Sequence, residues 1–188
     1  MNLFIDTSNN KLILILEKNN QIIDFLILNN QIRISDICIT ELTKFLDKNN
    51  VKVQEIENLY ATKGPGSYTG VRVAISVIKT LKVINNKFNI FLISSLAFQA
   101  GDKQAISILD AKGSKLYFGV YENKKNIIKD QLIPLEYLQD FKKQFKNFEI
   151  IEDYKEVDFI QVYKKIKDKF ELIKNIEDIK PMYIKHFI

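Results

Sequence analysis

Apolar residues near the start of the chain repeat in two different ways, and each repeat predicts one kind of element. Three short apolar runs cover 2–6, 11–17 and 21–28, and pairs of Asn separate them. Asn tolerates the left-handed backbone conformation of tight turns, so these runs predict three strands joined as antiparallel hairpins. The next apolar residues recur at helical spacing, which predicts a helix that is capped by Ser35 and ends near Lys48.

The same patterns predict the elements of the rest of the chain. Further strands are expected at 58–62, 90–93, 105–110, 115–121, 127–132 and 148–151. Further helices are expected at 71–84, in a short segment capped by Ser94 or Ser95 that ends near Gly101, from Pro134 to about Phe145, and in a Lys-rich stretch within 158–173. Helices and strands therefore alternate once the first hairpins are complete.

The order of the elements, β-β-β-α-β-α-β-α, combines hairpin strands with crossover helices and predicts a mixed β-sheet flanked by helices. This α/β arrangement is typical of ribonuclease H-like domains, which include the actin-like ATPases. We expect two lobes, an N-terminal ribonuclease H-like lobe over 1–101 and a smaller, abbreviated α/β lobe over 102–188. The expected boundary is at Gly101-Asp102, where a new apolar run begins after a short helix.

A glycine-rich turn, Gly64-Pro65-Gly66-Ser67-Tyr68-Thr69-Gly70, joins a predicted strand to a predicted helix and holds half of the chain's 6 Gly residues. This concentration in a Gly-poor chain implies backbone conformations that other residues avoid. Two interpretations stay open: a tight turn in which Ser67 or Thr69 caps the helix, and an anion cradle at the helix N-terminus. A Walker loop is excluded, because no Lys-Ser or Lys-Thr pair follows the last Gly.

The helix after this turn is apolar around a wide arc. Its apolar side chains span roughly 200° of the helix surface, about twice the arc that a helix packed on one side needs. Val71, Ala74, Ile75 and Ile78 lie in this arc, and Ile37 lies off the main apolar stripe of the preceding helix. Such a helix is either buried on two sides within its own domain or covered by another chain. We favour the partner, because a chain this small offers one sheet to pack against.

The composition argues against several classes of function. The 188 residues carry a formal charge of +5, but Lys outnumbers Arg by 26 to 2 and both halves of the chain are similarly charged. Arg is the preferred bidentate ligand of phosphate, so this excess of Lys argues against tight nucleic-acid binding, and an RNA-binding module is kept as a third hypothesis. No apolar run reaches the roughly 18 residues of a membrane span and no secretory signal is visible, so we expect a cytoplasmic protein without membrane contact.

Candidate chemistry is sparse. The single Cys, Cys38, falls on an apolar helix stripe and is expected to be buried, and the single His, His186, is the one imidazole base available to a peptidase. We therefore expect no catalytic residue, no metal site and no cofactor. Asp6 and Asp110 end strands in the two halves, as do the Mg²⁺-binding aspartates of actin-like ATPases, so an ATPase or kinase using Mg-nucleotide is the alternative. Only Gly113 stands where a phosphate-binding Gly pair would follow Asp110, which weakens this alternative.

Four motifs, in this order, resemble those of the TsaB family, also called YeaZ, and together they span the whole chain. They are Ile5-Asp6-Thr7-Ser8, the run from Lys63 to Arg72, Leu109-Asp110-Ala111-Lys112 and Pro181-Met182-Tyr183-Ile184-Lys185. The run from Lys63 to Arg72 is long and specific, and the other three are weak when taken singly. The chain departs from the family pattern at Ile34-Ser35, where members have His-Ser or His-Thr, and it is shorter in the second lobe.

The resemblance implies a two-lobed, actin-like protein that is not itself a catalyst. Members of this family bind TsaD, the enzyme that transfers threonylcarbamoyl to the adenosine beside the tRNA anticodon, and TsaE joins the larger complex. Contact with tRNA is then indirect. The implied contact with TsaD is a helix bundle that would include Ile37, Glu41, Val71, Ala74, Ile75 and Ile78. The same surface is implied to form a homodimer when TsaD is absent.

Overall fold

The computed structural model describes residues 1–184 and consists of two compact units. The first unit comprises Met1–Lys63, Ser67–Ile93 and Phe170–Pro181, and the second comprises Gly64–Gly66, Ser94–Lys169 and 182–184. The expected boundary at Gly101-Asp102 differs from this division, because 94–101 belongs to the second unit and a segment near the C-terminus returns to the first.

Within the described residues, the chain forms strands β1 to β10 and helices α1 to α5. The strands are β1 (Asn2–Asp6), β2 (Leu12–Lys18), β3 (Gln21–Leu28), β4 (Asn58–Thr62), β5 (Asn89–Ile93), β6 (Ala105–Asp110), β7 (Lys115–Glu122), β8 (Lys125–Pro134), β9 (Glu149–Glu152) and β10 (Glu171–Ile173). The helices are α1 (Ile34–Lys48), α2 (Tyr68–Ile84), α3 (Ser95–Ala100), α4 (Leu138–Gln144) and α5 (Phe159–Ile166).

The first unit is built on a six-stranded mixed sheet in the order β10-β5-β4-β1-β2-β3. Strands β1, β2 and β3 pair as antiparallel hairpins, while β1, β4 and β5 pair in parallel through the crossovers that contain α1 and α2. Asn19, Asn20 and Asn30 have positive φ in the turns beside these strands. The predicted hairpins, the Asn turns and the mixed sheet are thus confirmed.

The core of the first unit joins this sheet to α1 and α2. Leu3 and Leu14 of the sheet are fully buried, and the apolar side chains of both helices pack with them in one cluster. Ile179, which follows β10, is 1 % exposed and lies in the same cluster. A 3-10 turn at Ile176–Asp178 contacts α2. Residues far apart in sequence therefore complete the burial of α2.

The second unit has a four-stranded sheet in the order β8-β7-β6-β9, in which β9 runs parallel to β6 and the other neighbours are antiparallel. The buried side chain of Gln99 on α3 forms hydrogen bonds with β6, with β9 and with the segment that follows β9. Its Nε2 donates to Ser107 Oγ at 2.9 Å and to the carbonyl oxygens of Ile108 and Ile151 at 3.0 and 2.9 Å. Its Oε1 accepts from the backbone N–H of Tyr154 at 2.6 Å. One amide therefore links α3 to β6 and β9.

The start of α1 differs from the prediction. The helix begins at Ile34, Arg33 occupies the N-cap position without a side-chain cap, and the Ser35 hydroxyl donates to Asp36 Oδ1 at 3.0 Å. The predicted Ser35 cap is therefore wrong. The burial of Ile34 gives the physical reason, because its side chain joins the core and the helix begins two positions earlier than a Ser35 cap would place it. The alternative predicted for α3 is resolved in favour of Ser94, whose Oγ accepts from two backbone N–H groups of the helix.

One prediction in the second half of the chain is corrected, and another is confirmed. Pro134 ends β8 and pairs with Lys115 instead of beginning a helix, and β8 tolerates a residue without an N–H donor because it is an edge strand. The predicted Lys-rich helix within 158–173 is confirmed as Phe159–Ile166, and after a 3-10 turn the chain forms β10, a strand that the sequence did not predict. β10 pairs with β5 in the sheet of the first unit. An ion pair between Glu171 Oε2 on β10 and Lys63 Nζ, at 2.8 Å, adds a second contact between β10 and this unit.

Candidate protein-binding groove

A close backbone contact at Gly70 fixes α2 to the end of β1. A Cβ atom at position 70 would lie 2.0 Å from the carbonyl oxygen of Thr7, so only Gly fits there. The Thr7 hydroxyl donates to the carbonyl oxygen of Gly70 at 2.6 Å and accepts from the N–H of Ala74 at 3.1 Å. These contacts hold the first turn of α2 against the sheet.

The glycine-rich turn that precedes α2 ends in a capped helix. Ser67 is the N-cap residue, its Oγ accepts from Gly70 N at 3.3 Å, and its own N–H donates to the carbonyl oxygen of Ser8 at 2.8 Å. Gly64 and Gly66 have φ of 97° and 156°, and the Gly64–Pro65 peptide bond is cis. The predicted Ser67 cap and the need for Gly are confirmed, while Thr69 lies inside the helix. The anion cradle stays a prediction.

An open apolar groove of about 590 Å³ lies between α1 and α2 in the first unit. Its lining comprises Ile39, Leu42, Thr43 and Leu46 from α1, Tyr68, Thr69, Arg72, Val73, Ser76, Val77, Thr80 and Leu81 from α2, and Leu3, Val53 and Ile56 from neighbouring segments. Leu3 and Ile56 are buried, whereas Ile39 is 57 % exposed. The groove therefore has a floor shared with the core and a mouth that is open to solvent.

The polar groups of the groove are few and mostly small. Arg72 carries the one charged side chain among the lining residues found within 1–184. Its guanidinium carbon lies 3.8 Å from the centroid of the Tyr68 ring, a cation–π contact between residues one helical turn apart. Tyr68 is 61 % exposed, and its ring packs against Arg72 of the same helix.

Four of the residues predicted to contact a partner lie in the core. Val71, Ala74, Ile75 and Ile78 are all at most 3 % exposed and pack in the core cluster of the first unit. α2 contacts β1, β4, α1 and the turn before Ile179, so its wide apolar arc has an internal explanation. The structure therefore corrects the expectation that another chain covers these four side chains, because they are already covered within this chain.

The other two predicted contacts lie on α1 but outside the groove. Ile37 and Glu41 are half-buried, and Glu41 Oε1 accepts from Lys44 Nζ at 2.8 Å. At about 100° per residue, Ile39 and Thr43 occupy the opposite side of α1 from Ile37 and Glu41. In the sequence, Ile39 is the residue of α1 that could have indicated the groove, because it is apolar but lies outside the buried stripe of this helix. Small polar residues on an exposed helix face give no such signal.

The two aspartates of the ATPase alternative are both hydrogen-bonded within their own units. Asp6 is fully buried, and its Oδ1 accepts from Ser8 N and from the Thr62 hydroxyl, both at 2.7 Å. The Asp110 carboxylate accepts from the backbone N–H and the Nζ of Lys112 at 2.7 and 2.6 Å. The hydrogen bonds and charge of Lys112 hold the pKa of Asp110 below its usual value. Asp6 therefore stabilises the end of a strand.

The remaining candidate groups give no further site. Within residues 1–184, no group of three or more His, Cys, Asp and Glu side chains could hold a metal ion, and no helix is long and apolar enough to cross a membrane. Cys38 is buried, as predicted, and burial raises the pKa of its thiol to about 11. His186 and Lys185, the last residue of the C-terminal motif, lie outside the described residues.

The fold is that of the actin-like, ribonuclease H-like α/β proteins, as predicted. The chain is similar to YeaZ from Pseudomonas aeruginosa, with a TM-score of 0.74 at 15 % identity over 97 % of this chain and 99 % of that one. A second solved structure, described as an uncharacterized protein with similarity to peptidase YeaZ from Pseudomonas aeruginosa, gives a TM-score of 0.75 at 15 % identity over 98 % and 99 % of the two chains.

Sequence comparison gives the family. Residues 32–178 match the family model described as TsaD: tRNA N6-adenosine threonylcarbamoyltransferase, and the chain therefore belongs to this family. The tRNA threonylcarbamoyladenosine biosynthesis protein TsaB of Bacillus subtilis is 29 % identical over 70 % of this chain and 59 % of its own. An uncharacterized protein of Mycoplasma genitalium is 29 % identical over 97 % of this chain and 94 % of its own. The resemblance to TsaB is thus confirmed.

Proposed function

We propose that this protein is a non-catalytic subunit of the machinery that makes threonylcarbamoyladenosine in tRNA, and that it binds and activates a TsaD protein. In this proposal TsaD carries out the transfer, TsaE joins the larger complex, and tRNA reaches this chain only through the assembly. The open groove between α1 and α2 is the observation that supports the proposal most strongly. A folded chain keeps few contiguous apolar surfaces open to water unless a partner covers them.

The shape and lining of the groove favour a helix of the partner as its occupant. Val73 and Val77 form an apolar row along α2, and Ser76 and Thr80 stand beside them as small exposed residues one turn apart. Small side chains allow another helix to approach closely, and the apolar row then contacts its apolar face. A partner helix would pack against α1 and α2 together. This keeps the predicted helix bundle but transfers the contact to other residues.

Co-elution of the purified chain with the TsaD of the same organism in size-exclusion chromatography tests the proposal. We expect the wild-type chain to co-elute and Ile39→Asp to bind at least about tenfold more weakly, because a charge at the mouth of a desolvated interface is costly. Ile39 is 57 % exposed, so the fold should tolerate the change. Ile127→Asp is the matched control, since Ile127 is 47 % exposed on β8 of the second unit.

The outcomes of this experiment are distinct. No complex with wild-type protein at low salt would contradict the proposal, and unchanged binding by Ile39→Asp would place the contact outside the groove. Without TsaD we expect weak self-association through the same groove, which Ile39→Asp should abolish. A homodimer that survives this substitution would separate self-association from partner binding.

The non-catalytic part of the proposal is supported by the bonding of Asp6. A Mg²⁺ ion needs open oxygen ligands, and Asp6 is fully buried with two donors on one oxygen. We therefore expect no ATP turnover above background from the chain alone. Turnover that disappears in Asp6→Asn, a variant whose folding is checked by circular dichroism, would support the ATPase alternative instead.

A further inference from the structure

We infer that a strap, the segment from Phe170 to Ile179, positions α2 and thereby controls how tightly the groove binds its partner. The inference rests on the proposed function, because it names the element that controls the affinity of the proposed binding site. Among the described residues, those that line the groove lie between Leu3 and Leu81. The strap therefore acts on binding through α2, as a positioning element.

The strap begins on the face of the first unit's sheet that is opposite to α1 and α2. Phe170 is 7 % exposed, and its ring packs edge-on against the rings of Phe4 and Tyr60, with centroid separations of 6.0 and 5.3 Å. Neighbouring residues of a strand point to opposite faces of a sheet. Leu3 packs in the cluster that α1 and α2 share, so Phe4 and the ring of Phe170 lie on the other face.

The strap then continues to the helix side of the sheet. Ile173 of β10 pairs with Ile90 of β5, and both pack with the core cluster of the helices. Ile176 packs against the same cluster, and Ile179 is 1 % exposed within it. The turn at Ile176–Asp178 contacts α2. The strap thus contacts both faces of the sheet and ends against α2.

α1 and the end of the strap lie on opposite sides of α2. α1 contacts β2 and α2 contacts β4, whereas the strap enters the sheet as β10, beyond β5. β2 and β10 are on opposite sides of β4 in the order of the sheet, so α1 and the strap approach α2 from opposite directions. Because α1 and α2 are the walls of the groove, the strap sets the position of one wall relative to the other.

The buried side chain of Ile179 makes the position of α2 sensitive to the strap. Packed interiors leave little empty space, so a shorter side chain at position 179 leaves a cavity into which α2 can relax. A chain in which α2 has moved no longer presents the groove that fits the partner. The apparent affinity then falls with the fraction of chains that keep the binding arrangement.

Titration of the labelled chain with the same organism's TsaD, together with hydrogen exchange of the α2 amides, tests this inference. We expect Ile179→Ala to raise Kd about 5- to 20-fold, because the binding-competent fraction falls by that factor. The amides of α2 should exchange at least about tenfold faster than in the wild type. Ile179→Val removes a single methylene and should change both quantities in the same direction by about two- to threefold.

Two control variants separate positioning from general effects. Ile13→Ala shortens a fully buried side chain of β2 that points away from the helices, since its neighbours Leu12 and Leu14 belong to the helix-side cluster. We expect a comparable fall in the urea midpoint but a change in Kd below about twofold. Leu172→Thr alters a side chain of the strap that is 47 % exposed and should leave Kd within about twofold of the wild type.

The outcomes separate this inference from the proposed function. A wild-type chain that does not bind TsaD contradicts both. If the wild type binds and Ile179→Ala, shown to be folded by circular dichroism, binds equally well, only the inference is overturned. Equal rises in Kd for Ile179→Ala and Ile13→Ala would also overturn it, because affinity would then follow overall stability.

The exchange measurement decides whether the strap acts through α2. A rise in Kd for Ile179→Ala without faster exchange in α2 would overturn the inference. If Ile179→Ala does not fold, the milder Ile179→Val decides: weaker binding with faster α2 exchange supports the inference, and wild-type values of both contradict it.

Discussion

α2 contacts two regions of the first unit that are built in opposite ways. At the end of β1, the polar residues Asp6, Thr7 and Ser8 are at most 1 % exposed and are hydrogen-bonded within the unit. In the groove on the other side, apolar residues such as Ile39 and Val73 remain open to solvent. The region with polar groups is closed, and the region with apolar groups is open.

This difference favours binding over chemistry as the role of the chain. A catalytic site needs polar groups that can approach a substrate, and those of the β1 end are already used by the fold. A docking surface needs apolar area that loses water when a partner arrives, and the groove offers it. The polar end of β1 therefore serves to position α2, and the position of α2 creates the groove.

The largest expected effect contrasts the two faces of α2. Ile78→Arg places a charge among fully buried residues and should destabilise the chain by about 4 kcal/mol or more, enough to unfold a domain of ordinary stability. Ser76→Arg, two residues away on the groove face, should change the free energy of unfolding by less than about 0.5 kcal/mol while weakening TsaD binding. Urea unfolding measures both. Equal stability losses would show that the groove face is also core.

The next effect tests the close contact that fixes α2. Gly70→Ala must move Thr7 or the helix, because the added Cβ would lie 2.0 Å from a backbone oxygen, and it should cost about 3 kcal/mol. Gly113→Ala is the control, since its Cβ would meet nothing within 4 Å and the cost comes from its φ of 61° alone, about 1 kcal/mol. Similar losses in the two variants would contradict the close contact.

A smaller effect compares one threonine from each region. Thr62→Val removes the hydroxyl that donates to buried Asp6 and should lower the free energy of unfolding by about 2 kcal/mol. Thr80→Val makes the same change in the exposed groove and should be neutral within about 0.5 kcal/mol. Chemical denaturation of the two variants gives the comparison. A neutral Thr62→Val would mean that Asp6 does not depend on this bond.

The reactivity of Cys38 tests how stably α1 packs against the core. Burial raises the pKa of its thiol to about 11, so at pH 8 only about one thiol in a thousand is ionised. We expect iodoacetamide to label native protein at least about a hundredfold more slowly than urea-unfolded protein at the same pH. Comparable rates would show that α1 opens readily and that the groove lacks one stable wall.

The elements with local signals could be predicted from the sequence. The hairpins of β1, β2 and β3 follow from Asn turns and short apolar runs, and β4 and β5 follow from apolar runs beside helices. β10 could not be found this way, because it has only three residues and pairs with a strand about 80 positions earlier. Its pairing partner supplies the stabilisation that its own sequence does not indicate.

The predicted partner contacts lie on the two helices that line the groove, but four of them, Val71, Ala74, Ile75 and Ile78, lie on the buried side of α2. The apolar arc of α2 is wide because the sheet, α1 and the turn before Ile179 all contact this helix. A sequence pattern gives the total buried arc but cannot say which neighbours bury it. The sequence pattern therefore could not show that Val73 and Val77 stay partly exposed beside Ser76 and Thr80.

The central claim, that a TsaD partner covers this groove, is tested most directly by thiol labelling of Ser76→Cys with and without TsaD. The native Cys38 should not be labelled, because it is buried. We expect TsaD to slow labelling at position 76 at least about tenfold and to leave Gln161→Cys, an exposed position on α5, unchanged. A complex in which position 76 labels as fast as in the free chain would contradict the account.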